Sequence, residues 1–307
     1  LNAQSLPTIV LVLYAAVLAS GCSPPIRGAQ DLPANDAFVA DGCVVILGYD
    51  GDAMEPFIEP TRGDLLFNNR NSPPEQTDLH WARKVDDGDF QYVGPIDGAN
   101  STALDGVPSI DGAGAIYWVS TRSYAQTLST LYRGRWSDGA VTQAALVQGL
   151  SRERAGFVNF DAEISRDGES LYYVDGRFSG GPVPESADIE IAHRSGDRFV
   201  RDADSDVMLA SVNTQALEFA PAISADRREL FFTRLDLKAR TIAIYRVTRS
   251  GAGQPYGPPE RIAAANGFVE APALSADGRT LYFHRLEADR YRICRAVRRL
   301  PGQSASR

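Results

Sequence analysis

Apolar and polar positions in this chain alternate in short runs, broken by Gly, Pro, Asp or Asn, and no long stretch keeps a helical period. The clearest run is A-P-A-L-S-A-D-G-R-T-L-Y-F-H-R, from Ala271 to Arg285. A short apolar strand enters a turn carrying Asp-Gly and an aromatic-rich strand returns, which predicts a hairpin. The pattern recurs as A-P-A-I-S-A-D-R-R-E-L-F-F-T-R (Ala220 to Arg234) and D-A-E-I-S-R-D-G-E-S-L-Y-Y-V-D (Asp161 to Asp175). Weaker copies run from Val107 to Ser120 and from Glu55 to Asn69. Aligned on Pro56, Pro108, Ala162, Pro221 and Pro272, the copies lie 52, 54, 59 and 51 residues apart. Self-similarity at a near-constant period of this size marks a repeat architecture.

Each unit carries a third alternating run: Asp78 to Arg83, Thr130 to Trp136, Asp188 to Arg194 and Thr241 to Val247. A fourth, less regular segment precedes the next copy, as at Glu260 to Ala264. Four strands per repeat predict propeller blades. The expected fold is all-β: a five-bladed β-propeller of four-stranded antiparallel blades, with a six-bladed ring as the alternative. The fifth unit lacks its fourth strand. The offset of Glu260 to Ala264 from Pro272, applied to Pro56, lands on Val44 to Gly48. This segment is expected to complete the last blade and close the ring, which removes the sheet edges that invite aggregation.

The motif P-x-(L/I)-S-x-D-G-x-x-L-(Y/F)-F is good in the third, fourth and fifth copies, and it resembles the repeat of TolB-type propellers, also called WD-like repeats. The likeness covers about 41–300. It implies a propeller and leaves the activity open, because this architecture hosts many unrelated functions.

Composition narrows the partners. The chain is 44% apolar and carries a net charge of −8, so it can build a core but is poorly suited to nucleic acid. The arginine-rich stretch Arg290 to Arg299 reads as a solvated strand face. Ile9 to Ala19 is apolar yet too short to span a membrane. It resembles the apolar region of a signal peptide and leads into Leu18-Ala19-Ser20-Gly21-Cys22, which is similar to a bacterial lipoprotein processing site. The expected organisation is a lipoprotein signal peptide over 1–22 with Cys22 as the lipid attachment, a flexible tether over 23–40, the propeller over 41–300 and a disordered tail over 301–307. Ser23 stands where the lipoprotein rule would place Asp for inner-membrane retention, so a periplasmic, lipid-anchored protein of the outer membrane is expected. In that oxidising compartment the remaining cysteines, Cys43 and Cys294, are expected to form a disulfide. The closure scheme puts them on neighbouring strands of the fifth blade.

Candidate chemistry is sparse. His80, His193 and His284 have no zinc-ligand spacing. Asp86 to Asp89 and Asp202 to Asp206 lack the Glu that completes a calcium loop. There is no nucleophile elbow and no phosphate loop. No catalytic residue, metal or cofactor is therefore expected. A carboxylate does recur at or just before each inner strand: Glu55, Asp105, Asp161, Glu218 and Glu270. Ringing the channel mouth, these five are the candidate binding residues for a cationic or polyhydroxyl ligand. Arg122, Arg177, Arg234 and Arg285 follow the returning strands and offer the competing arrangement, in which Glu270 faces Arg285 across a hairpin. The expected function is a non-catalytic scaffold for a periplasmic or outer-membrane protein or an envelope glycan. The alternative is a glycoside hydrolase-like enzyme working through channel carboxylates.

Overall fold

A computed structural model describes residues 26–28, 34–70, 76–86, 88–181 and 183–299. Five antiparallel blades form a ring. From the inside outward, blade 1 is Met54–Ile58, Leu65–Asn68, Leu79–Lys84 and Asp89–Pro95. Blade 2 is Asp105–Ile110, Ala115–Ser120, Leu131–Ser137 and Ala140–Leu146, and blade 3 is Phe157–Ile164, Ser170–Arg177, Ser186–Ser195 and Arg198–Arg201. Blade 4 is Leu217–Ile223, Glu229–Asp236, Thr241–Thr248 and Glu260–Ile262. Blade 5 is Val269–Leu274, Thr280–Glu287, Arg290–Arg298 and, from the other end of the chain, Phe38–Cys43. The five inner strands touch one another in ring order, and the aromatic second strands pack the space between blades.

The closing strand corrects the sequence reading. Phe38, Val39 and Ala40 stand opposite Arg298, Val297 and Ala296, and Cys43 stands opposite Cys294, to which it is disulfide-bonded. Val45–Leu47 instead pairs in parallel with Asp89–Gln91 on the edge of blade 1. An outermost strand needs only one buried anchor, here Phe38, and can be polar elsewhere. The apolar run at 44–47 was therefore the wrong cue. Strand pairing also begins upstream of the boundary expected at 41. Arg27–Gly28 and Ala34–Asn35, placed by the sequence in the tether, run parallel to strands of blade 4. Cys22 and residues 301–307 lie outside the described residues.

The repeat signature has a direct structural meaning. In blades 3, 4 and 5 the turn serines Ser165, Ser224 and Ser275 donate to Asp167, Asp226 and Asp277 at 2.5, 2.6 and 2.6 Å. The same hydroxyls accept the N–H groups that start the returning strands, at Ser170, Glu229 and Thr280. The turn is thus held from both sides by side chains. A second repeated device ties third strands to turns. Arg194, Arg249 and Arg298 donate through Nε to the carbonyls of Gly168, Arg227 and Gly278 at 2.8, 2.7 and 2.8 Å. Their guanidinium groups lie 4.8, 4.4 and 4.6 Å from the ring centres of Phe199, Tyr256 and Phe38.

Candidate functional site in the central channel

Every inner strand carries a β-bulge at the same place, and the bulged residue has a positive φ: Glu55 (49°), Val107 (55°), Asp161 (47°), Ala220 (50°) and Ala271 (53°). A left-handed conformation costs a non-glycine residue about 1–2 kcal/mol, so something must hold it. Side chains of the adjoining blade do so at four of the five. The amides of Val107, Ala271 and Glu55 donate to Asn68 Oδ1 (3.0 Å), Thr233 Oγ1 (3.0 Å) and His284 Nδ1 (3.1 Å). These acceptors occupy one position, the residue after the aromatic of the second strand. In blade 3 that position is Val174, which cannot accept, and Asp161 Oδ2 takes the Ala220 amide instead at 3.1 Å.

The bulge shifts the register and sorts the five candidate carboxylates into three positions. Glu55 and Asp161 are bulged residues, Glu270 precedes its bulge by one, and Asp105 and Glu218 precede theirs by two. Asp105 and Glu218 turn away into buried ion pairs, with Arg122 and Arg234 at 2.6 Å each. Each also accepts two hydrogen bonds from the residue four positions earlier, Ser101 or Thr214. These two carboxylates are structural. Glu270 does not face Arg285, as expected from the hairpin count. It stands opposite His284, while Arg285 pairs with Glu287 and Arg177 with Glu185.

Glu55, Asp161 and Glu270 remain together with His284. Asp161 and Glu270 are 5% and 4% exposed, and His284 is fully buried. His284 Nδ1 accepts the Glu55 amide, so the ring proton sits on Nε2 and is donated to Glu270 Oε2 at 3.0 Å. Burial lowers the His284 pKa and keeps the ring neutral. Burial also raises the carboxyls. Glu270 is pushed up to about 8. Glu55 and Asp161 are raised by burial first, and then by the neighbouring carboxylates. Among the described residues, Glu55 Oε2 and Glu270 Oε1 are shielded from solvent and have no hydrogen-bond partner.

Farther along the same strands, Ile58, Ile110, Ile164, Ile223 and Leu274 line a cavity of about 50 Å³ with Glu163. Burial raises Glu163 to about 8, against a bond from Ser109 Oγ at 3.2 Å. The sequence reading missed Glu163 and His284. Glu163 stands where the other copies hold Phe57, Ser109, Ala222 and Ala273, and that departure from the repeat was its only signal. The two acidic runs considered for calcium use their carboxylates on the protein: Asp202 on His193, Asp206 on Arg201, and Asp86 on the amides of Gly88 and Asp89.

No protein-family profile and no curated protein sequence matches the chain. Solved structures do. One described as a glycoside hydrolase shares 10% identity over 90% of this chain and 95% of its own, with a TM-score of 0.58. An exo-β-1,3-galactanase from Phanerochaete chrysosporium shares 12% identity over 84% of this chain and 63% of its own, with a TM-score of 0.55. TolB from Acinetobacter baumannii shares 12% identity over 80% and 54%, with a TM-score of 0.45. At these identities the likeness is one of fold: a β-propeller, here of five blades.

Proposed function

We propose that the protein is an envelope interaction scaffold, tethered through a lipid on Cys22, whose partner is a periplasmic or outer-membrane protein or an envelope glycan. The observation that supports it is the withdrawal of four of the five candidate carboxylates from solvent, Glu55 being partly exposed. Two are locked in ion pairs, and Asp161 and Glu270 are at most 5% exposed. The channel then works as the hub that holds the blades, and binding falls to the outer faces. Fractionation and capture test the reading together. Cys22→Ser is expected to move the protein from the membrane to the soluble fraction and to abolish fatty-acid labelling. Cross-linking in intact cells is expected to join the wild type to one envelope partner that survives Glu270→Gln. Unchanged fractionation and labelling of Cys22→Ser would remove the anchor.

A second reading rests on the carboxyls that have no arginine partner. A carboxyl raised to about 8, as at Glu270, is protonated at neutral pH and suited to general-acid work on a glycosidic bond. Hydrolysis of chromogenic glycosides by the wild type, lost in a folded Glu270→Gln variant, would replace the scaffold by this enzyme.

A further inference from the structure

Between blades 3 and 4, on the flank of the ring, lies a pocket of about 540 Å³ that neither reading uses. Ser170, His193, Asp202 and Arg227 all line it, and Ser170, 2% exposed, meets the solvent only through this pocket. Ser170 and His193 are directly paired across neighbouring strands. Ser170 Oγ is 3.1 Å from His193 Nδ1, and His193 Nε2 is 2.6 Å from Asp202 Oδ2. The other Asp202 oxygen accepts the Asp204 amide at 2.8 Å, which fixes the carboxylate. Arg227 Nη1 donates to Ser170 Oγ at 2.9 Å.

Donor and acceptor roles in this chain run one way. Arg227 can only donate, so Ser170 Oγ accepts from it. The Asp202 carboxylate accepts from Nε2–H, which leaves the Nδ1 lone pair to receive the Ser170 hydroxyl proton. This is the arrangement of a hydroxyl nucleophile, a base and an orienting carboxylate, recognised by geometry rather than by chain order.

The residues concerned break the repeat. The position of Ser170 is Asp64, Ala115, Glu229 and Thr280 in the other blades. Opposite Ala115, Glu229 and Thr280 stand Arg135, Thr248 and Val297, never a histidine. Arg227 occupies the turn site that is Gly168 or Gly278 in the neighbouring copies and keeps their left-handed backbone, with φ 58°. An arginine in a glycine conformation is strained. Its side chain reaches across the blade boundary to Ser170 and, at 3.3 Å, to Asp167. Departures from a local rule concentrate at sites that do something.

We propose that this pocket is an acyl-hydrolase site for small carboxylic esters. The proposal goes beyond the scaffold reading and is independent of it. Ser170 Oγ attacks the ester carbonyl as its proton passes to His193 Nδ1, and the remaining Arg227 N–H donors meet the oxygen on which charge develops. Collapse breaks the bond to the alcohol oxygen, which leaves with the proton from His193. Water then attacks the acyl-serine, gives its proton to His193 and releases the carboxylic acid, and Oγ recovers its proton. The sum is ester plus water to acid plus alcohol. Tyr172, Ile191 and Met208 provide an apolar wall for a short acyl chain. Asp202 acts through His193 and is a positioning residue.

The test uses the folded wild type with p-nitrophenyl acetate and butyrate and with a fluorophosphonate probe. Labelling is expected on the peptide that contains Ser170, together with ester turnover that falls at least about 100-fold in Ser170→Ala and in His193→Gln. His193 has a side chain 52% exposed, so its replacement leaves the fold intact and keeps the test valid should Ser170→Ala misfold. Asp202→Asn, compared at equal concentrations of folded protein, is expected to lower kcat and to displace the pH profile of kcat/KM, a displacement that loss of folded protein would not produce. No probe labelling of the wild type, or labelling and turnover unchanged in His193→Gln, overturns the proposal.

Discussion

The guanidinium of Arg298, on the last described strand, lies 4.6 Å from the ring centre of Phe38, at the start of the outermost strand of blade 5. The contact repeats those of Arg194 with Phe199 and Arg249 with Tyr256, so the two ends of the chain rebuild a joint made elsewhere within one continuous segment. Phe38 also packs edge-on against Phe231 of blade 4, with ring centres 5.8 Å apart. Phe38→Ala is expected to cost about 3 kcal/mol in denaturant unfolding, whereas exposed Val45→Ala should stay within about 0.5 kcal/mol. Equal costs would contradict closure by Phe38–Cys43.

The Cys43–Cys294 disulfide joins residues 251 apart in sequence. Closing so long a loop restricts the unfolded chain by up to about 5 kcal/mol on chain-entropy arithmetic. The double variant Cys43→Ser, Cys294→Ser should therefore unfold at a clearly lower denaturant concentration than the oxidised wild type. The reduced wild type should match the variant.

The paired and unpaired carboxylates should respond oppositely to neutralisation. Glu218→Gln leaves Arg234 with its charge and without its counter-ion, and is expected to destabilise by about 3 kcal/mol. Glu270→Gln keeps an oxygen for the His284 N–H and removes a group that burial already disfavours as an anion, so at pH 8 it should be neutral or stabilising. Equilibrium unfolding of the two variants in one buffer decides it.

The channel carboxyls also set a pH dependence. A carboxyl raised from 4.5 in the unfolded chain to about 8 in the folded one, as at Glu270, keeps more protons when folded throughout that interval. Stability should therefore fall as pH rises from about 5 to about 8 and level off above it. Glu163 is raised in the same direction and adds to the slope. Thermal melts across this range should show Tm declining by about 2–4 °C for each kcal/mol lost, with a shallower slope in Glu270→Gln. A Tm that rises with pH over this interval would contradict the burial of these groups.

The repeat was legible because each blade is a local object. The Ser-x-Asp turn, the aromatic returning strand and the spacing of about 50 residues all follow from contacts within one unit, and the five copies announced five blades. The two cysteines, 251 residues apart, were assigned to one blade through the missing fourth strand of the fifth unit, although Phe38–Cys43 and not 44–48 fills it. What lies between blades was not legible. A bulge moves every later side chain of its strand to the other face, and nothing in the residue count of the Glu270 hairpin reveals it. Five carboxylates that recur in the sequence therefore divide in space into Asp105 and Glu218, each held by an arginine, and Glu55, Asp161 and Glu270, brought together around a histidine. Ser170 and His193 meet across neighbouring strands of blade 3, and Arg227 reaches them only because blade 4 packs against blade 3. The chain by itself determined the blades, because their hydrogen bonds and turns are local. Only the closed ring decided which side chains face one another, because those meetings depend on register and on packing between units distant in sequence.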